Sequence, residues 1–249
     1  MTVIEPLAGT DESSWATWPA PASWPHLDVA ALARRRVVVL AAHPDDEVLG
    51  VGGLLARLAA QAGELVLVWA SDGEASHPTS TAPVVRRMGA VRRSESAVAA
   101  ERLGLAGAER HLLGLPDGRL GDREDELVRH LADRVGDGDV LLAPWSGDGH
   151  PDHEACGRAA GRLGATLLEY PVWAWHWAGP GDRRVPWSRA RRVDLDEEAM
   201  TRKAAAMACF RSQVEPIGSA PADGPVLPGR ALAHFRRAYE TVLVGAVPA

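Results

Sequence analysis

Cysteine is nearly absent. Cys156 and Cys209 are the only two in 249 residues, too few for a disulfide framework. Lysine is scarcer still, with Lys203 alone among 27 basic residues. A GC-rich coding bias explains that, with the abundance of alanine, more simply than phosphate recognition does. No run approaches the roughly eighteen apolar residues that a bilayer span requires. The N-terminus carries Glu5, Asp11 and Glu12 where an export signal would need a basic start and an apolar core, so a cytoplasmic location is expected. The formal charge of −6 speaks against nucleic acid, whose binders present a basic face. No Gly-x-Ser-x-Gly elbow occurs, which removes the serine hydrolases of that type. The run Gly50-Val51-Gly52-Gly53 lacks the third glycine of a dinucleotide fingerprint and lies inside a helical stretch. Close packing of that helix is the expectation, not nicotinamide binding.

What is present alternates cleanly from Val37 onward. Strand-like runs fall at 36–42, 65–71, 109–113, 139–144 and 166–171, and Ala-rich stretches of helical period lie between them at 48–62, 84–103, 122–135 and 153–164. Repeated βα units with apolar strands predict an α/β protein: a Rossmann-like, three-layer α/β/α fold around a mainly parallel sheet. Residues 1–26 hold Trp15, Trp18 and Trp24 among Pro19, Pro21 and Pro25. They read as an extended, non-helical arm packed on a single domain spanning 27–249. After Tyr170 come an aromatic stretch (172–177), a Pro/Gly/Arg stretch to 192, a helix at 196–210, a Pro/Gly-rich loop (215–229) and a final segment, 231–244.

The chemistry concentrates in two places. His43-Pro44-Asp45-Asp46-Glu47 follows the first strand, and His150-Pro151-Asp152-His153-Glu154 follows the fourth. Ligands in such sheets gather at the carboxyl ends of strands. Each proline holds the backbone out of helix just before a helix begins, so the donors cluster at helix N-termini. A single Asp there would read as a helix cap. Two adjacent Asp after a histidine, mirrored by a second His-Pro-Asp-His cluster, read as one divided metal site. Catalytic zinc takes about three protein ligands and leaves a place for water. Amide hydrolysis also needs a carboxylate base and an acid or oxyanion stabiliser. Two His and one Asp suit zinc, and iron or cobalt as well.

The run Ala42-His43-Pro44-Asp45-Asp46-Glu47-Val48-Leu49-Gly50, followed by Gly52-Gly53 and by His150-Pro151-Asp152-His153-Glu154-Ala155, resembles the PIG-L/LmbE-like family of zinc-dependent N-acetylglucosaminide deacetylases. The resemblance runs from about residue 36 to 244. It implies that His43, Asp46 and His153 bind Zn2+, that Asp45 is the general base and that His150 faces the oxyanion. Softer matches are Asp72-Gly73-Glu74, Arg92-x-x-Glu95, Leu115-Pro116-Asp117-Gly118 and Ser212-Gln213, and the resemblance implies that Arg92 and Asp117 bind the sugar. Some members carry a tyrosine two residues before the second motif. Here that position is Asp148, which is expected to orient His150 instead.

Other features take plainer readings. Cys156 is expected to be a small apolar residue on a helix, not a thiolate ligand. His77 reads as a loop histidine and His234 as a core or surface residue, while Ser212-Gln213 could simply end a helix. Trp173, Trp175 and Trp177 read equally as a sugar-binding surface or as an outward-packed strand. The expected function is hydrolysis of an N-acyl group, acetyl first, from a small-molecule amino sugar or glycoconjugate. The same site acting on a thiol conjugate or an antibiotic-type N-acyl glycoside is the alternative, and a metal- or sugar-binding module without turnover is another. Oligomeric state is open.

Overall fold

The computed structural model describes residues 9–245. The first eight residues of the expected arm, Glu5 among them, and the last four of the chain lie outside the described residues. Seven strands form one sheet in the order β3-β2-β1-β4-β5-β7-β6. They are β1 (Val37–Ala41), β2 (Leu65–Ser71), β3 (Glu109–Leu115), β4 (Val140–Pro144), β5 (Thr166–Tyr170), β6 (Ala190–Asp194) and β7 (Tyr239–Val244). The first five run parallel. The last two were not expected. β7 lies antiparallel between β5 and β6. β6 falls within the Pro/Gly/Arg stretch, where Arg191 and Arg192 mask it as loop, and charge of that kind suits a sheet edge.

Among the described residues, five helices of nine or more residues cover the sheet: α1 (Asp46–Ala60), α2 (Met88–Arg102), α3 (Glu124–Ala132), α4 (Pro151–Gly161) and α5 (Glu197–Met207). Strand residues alternate between two apolar layers. Val37, Val39 and Ala41 join Leu54, Leu55 and Leu58 of α1 and Ala206 of α5 on one face. Val38, Leu40 and Ala42 join Leu127 and Leu131 of α3 and Ala155 and Cys156 of α4 on the other. Period-two strands thus feed helices on both faces, the three-layer arrangement the sequence predicts. Cys156 is a fully buried member of the second layer.

The arm departs from the extended reading. Glu12–Ala16 is a helical turn and Ala20–Ser23 a 3-10 turn. The prolines fall outside the first turn and at the start of the second, positions a helical turn tolerates. The arm does pack on the body. Trp15 is buried, donates from Nε1 to Trp175 O at 3.0 Å and meets the Trp175 ring edge-on. Glu12 accepts hydrogen bonds from Arg237 and pairs with His234 Nδ1 at 2.7 Å. The 172–177 stretch is not a strand: Ala174–Trp177 is a helical turn.

Gly50 and Gly53 are packing glycines. A Cβ on Gly50 would overlap the Tyr170 ring, and one on Gly53 would sit 2.5 Å from Leu195. Tyr170 has little freedom to withdraw, because it is fully buried and its hydroxyl donates to Leu40 O. Gly50→Val is therefore expected to lower unfolding free energy by about 1–3 kcal/mol, measured by urea titration. Unchanged stability would mean that the helix–Tyr170 approach is looser than described.

Candidate metal centre

The strand order turns on β1 and β4, which are neighbours although β2 and β3 come between them in the chain. Their outgoing connections leave to opposite faces, α1 to one and α4 to the other. This is the switch point where open α/β sheets form a crevice. Both His-Pro-Asp clusters lie there because each follows one of these two strands.

Asp45 is the N-cap of α1 with φ 118°, a left-handed conformation that costs a non-glycine residue about 1–3 kcal/mol. The turn separates two adjacent carboxylates. Asp46 faces the histidines, with Oδ2 3.4 Å from His43 Nδ1 and Oδ1 3.1 Å from His153 Nε2. Asp45 faces Arg92, Oδ2 to Nη2 at 3.0 Å. Burial raises the pKa of Asp45, against the opposing pull of Arg92, to about 7. Burial would also raise Asp46, but the two histidines hold it well below the usual carboxylate range.

His153, fully buried, is aimed by Asp148, whose Oδ2 lies 2.7 Å from its Nδ1. The same carboxylate accepts the amides of Val172, Trp173 and Ala174 at 2.8–3.0 Å, so its acceptor positions are filled. Asp148 therefore orients His153, not the expected His150. Burial would lower the pKa of His153, but Asp46 and Asp148 raise it to about 9. His153 Nε2 lies close to Asp46 yet has no hydrogen-bond partner. An oriented imidazole with an unpartnered buried nitrogen beside a carboxylate and His43 is a donor set that fits a divalent metal ion.

Two trios of donor atoms, neither including Asp46, each lie within 4.8 Å of one another: His43, His150 and His153, and His43, Asp117 and Asp152. In the second trio the carboxylates are spent on the backbone. Asp152 accepts from Gly118 N at 2.7 Å and Leu120 N at 3.0 Å, and Asp117 accepts from Ala75 N at 2.7 Å. They also flank His43 Nε2, at 3.2 and 3.1 Å. Through the amides of Gly118 and Leu120, Asp152 holds the loop after β3 against the crevice.

His150 caps α4, its Nδ1 accepting from Asp152 N at 3.3 Å. Burial, then the neighbouring histidines, push its pKa down to about 3. A neutral imidazole accepting at Nδ1 carries its proton on Nε2, so His150 is a hydrogen-bond donor at neutral pH.

The softer motifs interlock. Gly73 at φ +64 leaves the space that Arg92 occupies, since a Cβ there would overlap the guanidinium. Arg92 in turn donates to Gly73 O at 3.0 Å and to Pro44 O. Glu74 accepts from Asp117 N at 3.0 Å, and Glu95 accepts from the amide and hydroxyl of Ser212.

A cavity of about 290 Å³ opens over the crevice, lined by His43, Asp45, Asp46, Arg92, Asp117 and His150 among others. His153 stands behind the lining. Sequence reasoning missed part of the wall: Val226, Leu227 and Phe235 come from the C-terminal loop and turn, where nothing in the pattern marked them. Gln213, read both as part of a softer family-like match and as a helix end, also lines it. His77 is buried beside Ser76 but is not among the lining residues.

Helix α1 is broken above the site. Val51 has φ −140°, and the groups that would form the Gly53 N to Leu49 O bond turn to side chains instead. Lys203 Nζ donates to Leu49 O at 2.8 Å, while Glu240 accepts the amides of Gly53 and Leu54 at 2.7 and 2.8 Å and the Lys203 ammonium at 2.7 Å. A buried ion pair inserted in the ladder accounts for the break and fixes the short first segment that carries Asp46. Lys203→Met is expected to cost about 3–5 kcal/mol, because Glu240 is left buried and unpaired. Replacing both partners with apolar residues should recover part of the loss in urea unfolding. A single variant as stable as the parent would refute this role.

Comparison with known proteins follows the same residues. Residues 38–163, just over half of the chain, match the family described as PIG-L, GlcNAc-PI de-N-acetylase. The 1D-myo-inositol 2-acetamido-2-deoxy-alpha-D-glucopyranoside deacetylase of Corynebacterium glutamicum is 30% identical over 67% of this chain and 60% of its own length. The chain thus spans about three fifths of the curated relatives it matches. N,N'-diacetylchitobiose deacetylase from Pyrococcus horikoshii superposes with a TM-score of 0.58 at 20% identity, over 82% of this chain and 80% of its own. A conserved protein from Thermus thermophilus gives 0.53 at 29% identity, over 72% of this chain and 80% of its own.

Proposed function

The chain belongs to the PIG-L family, and from that premise we propose that it is a metal-dependent hydrolase removing an N-acyl group, in the first instance acetyl, from a small amino sugar or glycoconjugate. The observation that carries this reading is the convergence of His43, Asp46 and an Asp148-oriented His153 beside a separate buried carboxylate, Asp45. The relatives are named as deacetylases of acetamido sugars, which supports the acyl group and the sugar.

His43, Asp46 and His153 are the ligands, and zinc is the ion their chemistry suits. Bound there, zinc would supply a Lewis acid for water and for the amide carbonyl. Asp45 takes the proton from the attacking water. Its raised pKa, about 7, lets it hold that proton and pass it to the leaving amine near neutral pH. Arg92 keeps Asp45 fixed by ion pairing and draws its pKa back from a higher value. His150 donates from Nε2 to the oxygen on which negative charge develops. Arg92 and Asp117, both lining the cavity, contact the sugar in this reading.

Asp45→Asn should retain metal and lose turnover by about 10²–10⁴-fold, the usual worth of a general base, read by amine release and by metal analysis of the same preparation. Near-parental turnover would remove Asp45 as the base. Amine release from N-acetylglucosaminides should stop with a chelator and return on adding zinc. Activity that survives exhaustive chelation, with metal analysis confirming its removal, would contradict metal dependence.

A further inference from the structure

Resting on the hydrolase reading above, we propose that the cavity selects substrates carrying an apolar group next to the sugar, either as the aglycone or as an acyl chain longer than acetyl. The cavity is lined by two unlike sets of side chains. The carboxylates and the guanidinium among the described lining residues are Asp45, Asp46, Asp117, Asp152 and Arg92. The apolar wall is Leu49, Val172, Trp173, Val226, Leu227 and Phe235.

Few polar groups accompany that wall. Gln213 Nε2 donates to Ser212 Oγ at 2.9 Å and reaches Ser76 Oγ at 3.5 Å. The His176 ring is held between the rings of Trp173 and His234, each with its centroid 4.9 Å away, and its buried Nε2 has no hydrogen-bond partner. A polyol pressed on this wall would find too few partners for its hydroxyls, which is penalised, whereas an apolar group would gain by burial. Trp173 stacks on His150 with ring centroids 6.3 Å apart, so the part of the substrate that covers the wall there adjoins the scissile amide. At about 290 Å³, the cavity sits at the low end for small-molecule sites, which start near roughly 300 Å³. That admits one sugar ring and a short substituent.

The two sources separate in a binding experiment without turnover, using the full chain loaded with zinc. Calorimetry would compare methyl, propyl and butyl glycosides of glucosamine, the inositol glycoside of glucosamine, and N-methyl, N-propyl and N-butyl glucosamine. None of these has an amide to hydrolyse. Affinity should rise about fourfold per methylene buried in one series: the O-alkyl series if the aglycone covers the wall, the N-alkyl series if the acyl chain does. Val226→Asn, in a partly exposed loop, should weaken the butyl compound of that series and leave the methyl compound unchanged. The proposal is overturned if both series are flat, or if the inositol glycoside binds more tightly than the butyl compounds of both series. Absence of amide hydrolysis would be seen separately, as a failure of the hydrolase reading alone.

Discussion

The structure depends on one topological constraint: β1 and β4 lie side by side, and their chains leave toward opposite faces of the sheet. Two helix N-termini therefore meet at one crevice with no loop long enough to wander. Each contributes the residue types its first turn favours, acidic groups and a proline-preset backbone. His43 and His153, 110 positions apart in the chain, reach a common carboxylate because the sheet fixes both ends of that span. Any loss of pairing between β1 and β4 would dissolve the site as a whole.

Around that crevice, carboxylates are divided by what they touch. Asp46 faces imidazole nitrogens and Asp45 faces a guanidinium. Asp148, Asp152, Glu74, Glu95 and Glu240 are spent largely on backbone amides, and so hold loops or helix segments in place. A carboxylate held by backbone amides is fixed in place and has fewer lone pairs left for water or substrate. Asp45 lacks that support and is raised to about 7. Burial raises Glu47 too, to about 8, but of these two raised carboxylates Asp45 is the one that lines the cavity.

Much of this was legible in the sequence because it is local. Apolar runs alternating with stretches of helical period marked β1 to β5, and the His-Pro-Asp clusters marked the residues after β1 and β4. The parts that escaped are set by long-range packing. β7 pairs with β5 and β6, and β6 is bridged on its other side by His26 of the arm; the arginines of β6 read as loop. Asp148 stands next but one to His150 in sequence, yet its partner is His153, one helical turn further on. The left-handed turn at Asp45 has no signature beyond the tolerance of Asp for that conformation. The Gly-Val-Gly-Gly run looked like a fragment of a nucleotide motif. It marks instead a helix break whose causes, Lys203 and Glu240, lie about 150 and 190 positions away in the chain. The apolar wall at Val226, Leu227 and Phe235 comes from a Pro/Gly-rich loop and a short turn, where periodicity carries no information.

The central claim is that one metal ion binds between His43, Asp46 and His153. Anomalous diffraction at the zinc edge, from crystals of the zinc-loaded protein, tests it most directly. The account predicts one strong peak about 2.0–2.2 Å from a nitrogen of each histidine and an Asp46 oxygen. A peak bounded by His43, Asp117 and Asp152, or no peak at the switch point, would contradict it.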